Sequence, residues 1–250
     1  MQGEDFAHTV DRRPRQQVVG SVANRGLVDV TSTVFVIDDD ISVRESLKRL
    51  VRTAGWQPET FASAEEFLSA PRDAGPCCVV LDVTLPGLSG LELQRRLADR
   101  TDMPIIFISG YQDVPMTVQA MKAGAVEFLM KPFKDDVLLN AIRQAIERSR
   151  AALRCVSEMR LLRSRYDTLT PRERQVMALV VAGLLNKQVG GELGISEITV
   201  KAHRGQVMRK MQADSLPALV TMTAALGPRT GYASRGPLSE SVRCSGLRWP

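Results

Sequence analysis

The stretch Thr33–Leu47, TVFVIDDDISVRESL, runs an apolar segment, Val34 to Ile37, straight into three consecutive aspartates, Asp38, Asp39 and Asp40. Like charges on adjacent residues repel, so a strand buried on both faces should not end this way without compensation. The pattern recurs along the chain. Cys77–Leu81 leads into Asp82, Pro104–Ile108 into Ser109, and Val126–Met130 into Lys131-Pro132. Gln57–Phe61 is a weaker strand candidate. Amphipathic segments lie between the runs, at Val43–Thr53, Ala64–Leu68, Leu91–Ala98, Met116–Ala123 and Val137–Ile146, with Gly55, Gly90 and Gly124 at their ends. Five strand–helix units predict an α/β fold with a five-stranded parallel sheet covered by helices on both faces.

In an open parallel sheet, ligands collect at the carboxyl ends of the strands. Asp38, Asp39, Asp82, Ser109 and Lys131 all end strands and therefore share one edge. A hard dication among the carboxylates would relieve their repulsion, and Mg²⁺ prefers oxygen ligands in octahedral geometry. Asp40, directly before the helix at Ile41, reads as an N-cap.

The second half has a different period. The helical pattern continues after Asp135 through Arg163 as a long connector between domains. Thr170-Pro171-Arg172-Glu173 is a capping box with proline at the first helical position, and its helix runs to about Ala182. Helices follow at about Lys187–Leu193, at Glu197–Met211 capped by Ser196, and at Leu216–Leu226 capped by Ser215. Lys187–Leu193, the turn Gly194-Ile195-Ser196 and Glu197–Met211 form a helix-turn-helix. Ile198, Val200, Val207 and Met211 are the apolar positions of its second helix and call for a supporting core. Gly190 and Gly191 each cost ~1 kcal/mol relative to alanine inside a helix. Either a backbone passes close by or this domain is marginally stable.

Charge separates the halves. Residues 33–150 carry 14 Lys and Arg against 17 Asp and Glu, whereas residues 151–227 carry 11 against 6. The basic half suits a polyanion. None of the 250 residues lies in an apolar run of the ~18 that a membrane span needs, and the N-terminus has no apolar signal core. A cytoplasmic protein without membrane association is expected. The four cysteines lack metal-ligand spacing, and adjacent Cys77 and Cys78 should point to opposite faces of a strand in a reduced compartment.

Residues 33–150 resemble the flavodoxin-like receiver domain of two-component response regulators of the FixJ/NodW type. The resemblance rests on VIDDD, VVLDVTLPGLSG, FISGY and DVPMTVQAMKAGAVEFLMKPF. It implies that Asp82 is the phosphoacceptor. It implies also that Asp39, Asp82 and the Thr84 carbonyl hold Mg²⁺, with Asp38 acting mostly through water. Lys131 and Ser109 would bind the phosphoryl group, Phe128 would change packing with it, and Lys131–Pro132 would be a cis bond. Residues 168–227, through LTPRERQVMALVVAGLLNKQVGGELGISEITVKAHRGQVMRKM, resemble the LuxR-type four-helix DNA-binding domain. That implies base-facing positions at Lys201, Ala202 and Gly205. Arg204 would add specificity, with phosphate contacts from Lys187, Ser196, Thr199 and Arg209. Dimer contacts would come from Leu216, Leu219, Val220 and Thr223 on the fourth helix. Gly205 departs from family members with a long side chain there.

The expected organisation is a disordered extension at 1–32, a receiver at 33–150 and a helical linker at 151–167. An all-α helix-turn-helix domain at 168–227 and an irregular tail at 228–250 complete it. The expected partners are a sensor histidine kinase, promoter DNA, a second copy on phosphorylation, and RNA polymerase. The expected role is a transcription activator, not an enzyme, in nodulation or nitrogen fixation. Two other readings remain open on the sequence. One is a phosphorylation-independent DNA-binding protein with a vestigial receiver. The other is an aspartate-nucleophile phosphatase using Asp38 and Asp40, which would leave Asp82, Lys131 and the basic half unexplained.

Overall fold

Side chains of a strand point alternately to its two faces, and in the first half of this chain both faces are apolar. The computed structural model describes residues 32–71, 74–110 and 114–227. In it β1 (Thr33–Ile37), β2 (Gln57–Phe61), β3 (Cys77–Asp82), β4 (Ile105–Ser109) and β5 (Glu127–Met130) form one parallel sheet in the order β2-β1-β3-β4-β5. Phe35, Ile37, Cys77, Val79, Leu81, Ile105 and Phe107 face α2 (Ala64–Ser69), α3 (Gly90–Arg96) and α4 (Val114–Lys122). Val34, Val36, Cys78, Val80, Ile106 and Ile108 face α1 (Ile41–Thr53) and the start of α5 (Asp135–Asp167). Cys77 and Cys78 thus lie on opposite faces, as expected, and burial pushes the Cys78 thiol far up. Phe67, Phe107 and Leu93 are fully buried, each contributing roughly 1.5–3 kcal/mol.

The helix α5 has 33 residues, a length of about 50 Å. Its two ends belong to different cores. Near the sheet, buried Ser149 accepts the Cys77 N–H (3.0 Å) and donates to the Asp102 carbonyl (2.6 Å). Arg150 reaches the hydroxyl of Ser32 (3.1 Å). At the far end Tyr166 is buried with Met177, Val207, Met211 and Leu219, and Leu162 packs against them. Ser32 is itself buried and its carbonyl accepts the Gln57 N–H, so it belongs to the fold rather than to the extension. Residues 1–31 and 228–250, where the sequence places the extension and the tail, lie outside the described residues.

Among the described residues four further helices follow: α6 (Pro171–Val181), α7 (Asn186–Leu193), α8 (Glu197–Met211) and α9 (Leu216–Leu226). The hydroxyls of Thr170, Ser196 and Ser215 accept the N–H groups of Glu173, Thr199 and Ala218, as their sequence positions predict. Leu185, the N-cap of α7, offers no such acceptor. Val200, Val207 and Met211 are buried, but Ile198 is 79 % exposed. The expectation of a core role for Ile198 is therefore corrected. It sits two residues off the buried stripe of α8, on the opposite face of the helix. Leu219 is fully buried too, which removes it from the expected dimer contacts, while Val220 stays exposed.

The glycine pair divides. A Cβ on Gly190 would lie 2.8 Å from the Ile195 carbonyl oxygen, whereas one on Gly191 would meet nothing within 4 Å. The close approach comes from the helix-turn-helix turn, where Gly194 adopts φ 63° and the Ile195 N–H returns to the Gly190 carbonyl (3.0 Å). A second tie is polar. Glu173, 5 % exposed, accepts the Thr170 N–H (2.8 Å) and the Lys210 ammonium (2.7 Å), and Lys210 also donates to the Thr168 carbonyl (3.2 Å). Burial alone would raise the Glu173 carboxyl. Lys210 and the Thr170 N–H outweigh it and hold the group below its ordinary value.

Gly191→Ala should raise the stability of the helical half by up to ~1 kcal/mol. Gly190→Ala should lower it, because a backbone oxygen must move. Thermal melts of the two variants decide this, and a stabilising Gly190→Ala would contradict the close approach. A lowered carboxyl pKa contributes stability that is present above the unfolded value and lost as pH falls through the folded value. Glu173→Gln should therefore cost roughly 1–3 kcal/mol at neutral pH and lose less on acidification than the native chain. Melts at neutral pH and at pH about 4 measure both effects, and equal acid sensitivity would refute the role of this pair.

Candidate functional site

In the order β2-β1-β3-β4-β5 the chain leaves β1 towards one side of the sheet and β3 towards the other, so a crevice opens between their carboxyl ends. The register Ile37↔Leu81 sets Asp38 beside Asp82 at that crevice. Carboxylate oxygens of Asp38, Asp39 and Asp82 lie within 4.8 Å of one another. Asp38 is fully buried and Asp82 nearly so, while Asp39 faces outward.

Lys131 enters from the end of β5. Its ammonium donates to Asp38 Oδ2 (2.7 Å) and to Asp82 Oδ2 (2.6 Å). Burial works against the charge on Lys131, but the two carboxylate bonds prevail and raise its pKa. Asp38 is raised as well, by burial first, although Lys131 and the Asp40 N–H (2.9 Å) pull the other way. Asp40 is an N-cap as expected. It accepts the Ser42 N–H (2.7 Å), which lowers its pKa. The acid that the phosphatase reading requires is thus turned to the start of α1. Among the described residues, three carboxylates against one ammonium leave the crevice negative and lined with oxygen donors, which suits a hard dication.

The other expected residues surround this centre. Asp82 Oδ1 accepts the Thr84 N–H (2.9 Å), placing Thr84 on the rim. Ser109 is buried at the end of β4, and its carbonyl accepts the Lys131 N–H (2.8 Å). The Lys131–Pro132 bond is cis. Phe128 is half-buried, with its ring 6.1 Å from that of Phe107.

Three supporting residues were not picked out from the sequence. A Cβ on Gly90 would stand 2.3 Å from the Asp82 carbonyl oxygen, so α3 starts hard against the strand that carries the central aspartate. Glu65 of α2 accepts the Leu88 N–H (2.9 Å) and pins the loop after Asp82. Arg44 of α1 donates to the Asp38 carbonyl (2.6 Å). Only Gly90 left a trace in the sequence, as a helix-end glycine. Glu65 and Arg44 act across folded contacts that no local pattern encodes.

The basic half presents α8. Ala202, Gly205 and Arg209 lie on its exposed face, and Lys201, on the flank, pairs with Glu197 (3.3 Å). Lys187, Ser196 and Thr199 are exposed, with Ser196 and Thr199 sharing a hydroxyl contact (2.8 Å). Arg209 is bonded to Gln206. Arg204 is half-buried and turns back to Asn186 at the start of α7 (3.2 Å).

Comparison with known proteins finds a different family for each half of the chain. Residues 34–143 match the response regulator receiver domain, and residues 167–223 match the bacterial regulatory proteins of the luxR family. The chain is 52 % identical over 195 residues to Nodulation protein W of Bradyrhizobium diazoefficiens, covering 78 % of this chain and 86 % of that one. It is 46 % identical over 196 residues to the transcriptional regulatory protein FixJ of Rhizobium meliloti, covering 78 % and 96 %. The solved structure of the response regulator StyR aligns with a TM-score of 0.70 at 47 % identity, over 78 % of this chain and 98 % of that one.

Gly90→Ala should destabilise the sheet half by about 1–3 kcal/mol through overpacking. Gly110→Ala, where a Cβ meets nothing within 4 Å, should be near neutral. Urea unfolding of both variants checks the contrast, and a harmless Gly90→Ala would show that α3 can back away from Asp82.

Proposed function

The chain belongs to the two-component response regulators that join a receiver domain to a LuxR-type DNA-binding domain, and we propose that Asp82 is its phosphoacceptor and that phosphorylation there switches promoter binding. The observation that carries this reading is the pair of bonds from Lys131 to Asp38 and Asp82 at the strand crevice.

Asp39 and Asp82, with the Thr84 carbonyl, would hold Mg²⁺, and Asp38 would act mostly through water. Bound there, Mg²⁺ supplies positive charge to the phosphoryl oxygens. A carboxylate attacks an anionic phosphoryl group poorly because like charges repel. Lys131 can leave Asp38 for the phosphoryl oxygens while remaining beside Asp82. Asp82 then forms the new O–P bond as the N–P bond of a kinase phosphohistidine breaks, and the electron pair returns to the imidazole. Ser109, at the end of β4, would bond the new phosphoryl group through its hydroxyl, and Phe128, opposite Phe107 in the neighbouring β5, would change packing with it.

The output follows from the basic half. Lys201, Ala202 and Gly205 would face bases, Lys187, Ser196, Thr199 and Arg209 would contact phosphates, and Arg204 would position the start of α7. Exposed Val118 and Met121 on α4, Met130 on β5 and Val137 on α5 support a receiver dimer formed on phosphorylation. A dimer would offer two recognition helices to half-sites about one helical turn apart, and linking them raises affinity without a new contact. The physiological reading is a cytoplasmic activator that works with RNA polymerase in nodulation or nitrogen fixation, as the name of Nodulation protein W indicates for that relative. Among the described residues no helix is long and apolar enough to cross a membrane.

Asp39→Ala should keep the fold, since Asp39 is exposed, yet abolish acyl-phosphate formation from acetyl phosphate and Mg²⁺. Full-length protein should bind its promoter tightly only after phosphorylation, and affinity should fall steeply with salt. A phosphate-affinity gel and fluorescence anisotropy at two salt concentrations test the two steps. Tight binding that ignores phosphorylation would favour a vestigial receiver.

A further inference from the structure

Ile198 is the most exposed large apolar side chain among the described residues, at 79 %. It is the second residue of α8, and among the described residues it belongs to neither apolar cluster of the helical half. At 3.6 residues per turn, Ile198, Ala202 and Gly205 follow i, i+4 and i+7 along one stripe. That stripe lies opposite buried Val200, Val207 and Met211. Arg209 continues it towards the C-terminus, and Lys201 flanks it. The exposed face of α8 is thus apolar at its N-terminal end, bare at Gly205, where a Cβ would meet nothing within 4 Å, and cationic beyond.

The bases offer one apolar group in the major groove, the C5 methyl of thymine. A recognition helix presents its N-terminal residues to the base edges, and the absence of a side chain at Gly205 lets this helix approach closely. We propose that Ile198 is a specificity-determining residue that reads thymine methyl groups in the promoter half-site. The proposal rests on the DNA-binding reading of α8 given above. The net positive charge of residues 151–227 and the match to the luxR family at residues 167–223 make duplex DNA the occupant of this face, in preference to a second protein.

The test starts from a pool of randomised duplexes enriched on the full chain in the presence of acetyl phosphate and Mg²⁺. Each thymine of the enriched site is then replaced in turn by deoxyuridine, which removes only the methyl group. The native chain should lose about fourfold in affinity for each methyl contact removed. Ile198→Ser should bind the thymine and uracil forms equally at that position while melting at the native temperature. Ile198→Val, which keeps a β-branched side chain, should retain part of the discrimination.

A native chain indifferent to every single replacement would overturn the proposal. So would an Ile198→Ser variant that keeps the full preference, which would assign the contact to Ala202 or to DNA shape. A marked fall in the melting temperature of both variants would make Ile198 a fold residue and overturn it equally. A pool that yields no enriched sequence would instead remove the DNA-binding reading beneath it.

Discussion

The constraint on which the rest of the structure depends is electrostatic: buried carboxylates of Asp38 and Asp82 are held side by side by the parallel register of β1 and β3. Water cannot solvate them fully, and burial raises Asp38 accordingly. One ammonium, from Lys131, bonds to both. With Asp39 at the mouth, the crevice keeps an excess of negative charge of the kind that a hard dication offsets. The elements around it serve that placement. Gly90 lets α3 press on the Asp82 backbone, Glu65 holds the loop beyond it, and Arg44 holds the Asp38 carbonyl.

The second half depends on a different kind of order. Its core is small, and two polar or backbone ties set its geometry: Glu173 with Lys210 and Thr170, and Gly190 against the turn at Ile195. The helix α5 joins the two halves without a break. Ser149 fixes it to the base of the sheet and Tyr166 enters the helical core. The far end of α5 packs directly with α8 and α9.

Much of this was legible in the chain because it is encoded locally. Strands with apolar residues on both faces, the hydroxyl caps at Thr170, Ser196 and Ser215, and the Asp40 cap are all short-range patterns. The strand-end residues Asp38, Asp82, Ser109 and Lys131 could be placed on one edge once the strands were recognised. What could not be read were contacts made across the fold. Gly190 left two outcomes open because its neighbour, the Ile195 carbonyl, arrives through a turn. Ile198 looked like a core residue by composition, and only the phase of the buried stripe in α8 turns it outward. Leu219 looked equally fit for a dimer surface and for the core, and the packing of α9 buries it. The bond from Arg204 to Asn186 likewise joins α8 to α7 across the turn, where no local pattern encodes it.

The most direct measurement of the central claim is the position of the acyl phosphate itself. The full chain is incubated with acetyl phosphate and Mg²⁺, then reduced with borohydride, which converts an aspartyl phosphate to homoserine, and its peptides are sequenced by mass spectrometry. The account predicts homoserine at residue 82, formed only when Mg²⁺ is present. Homoserine at residue 38 or 39, or formation at residue 82 that ignores chelation of Mg²⁺, would contradict it.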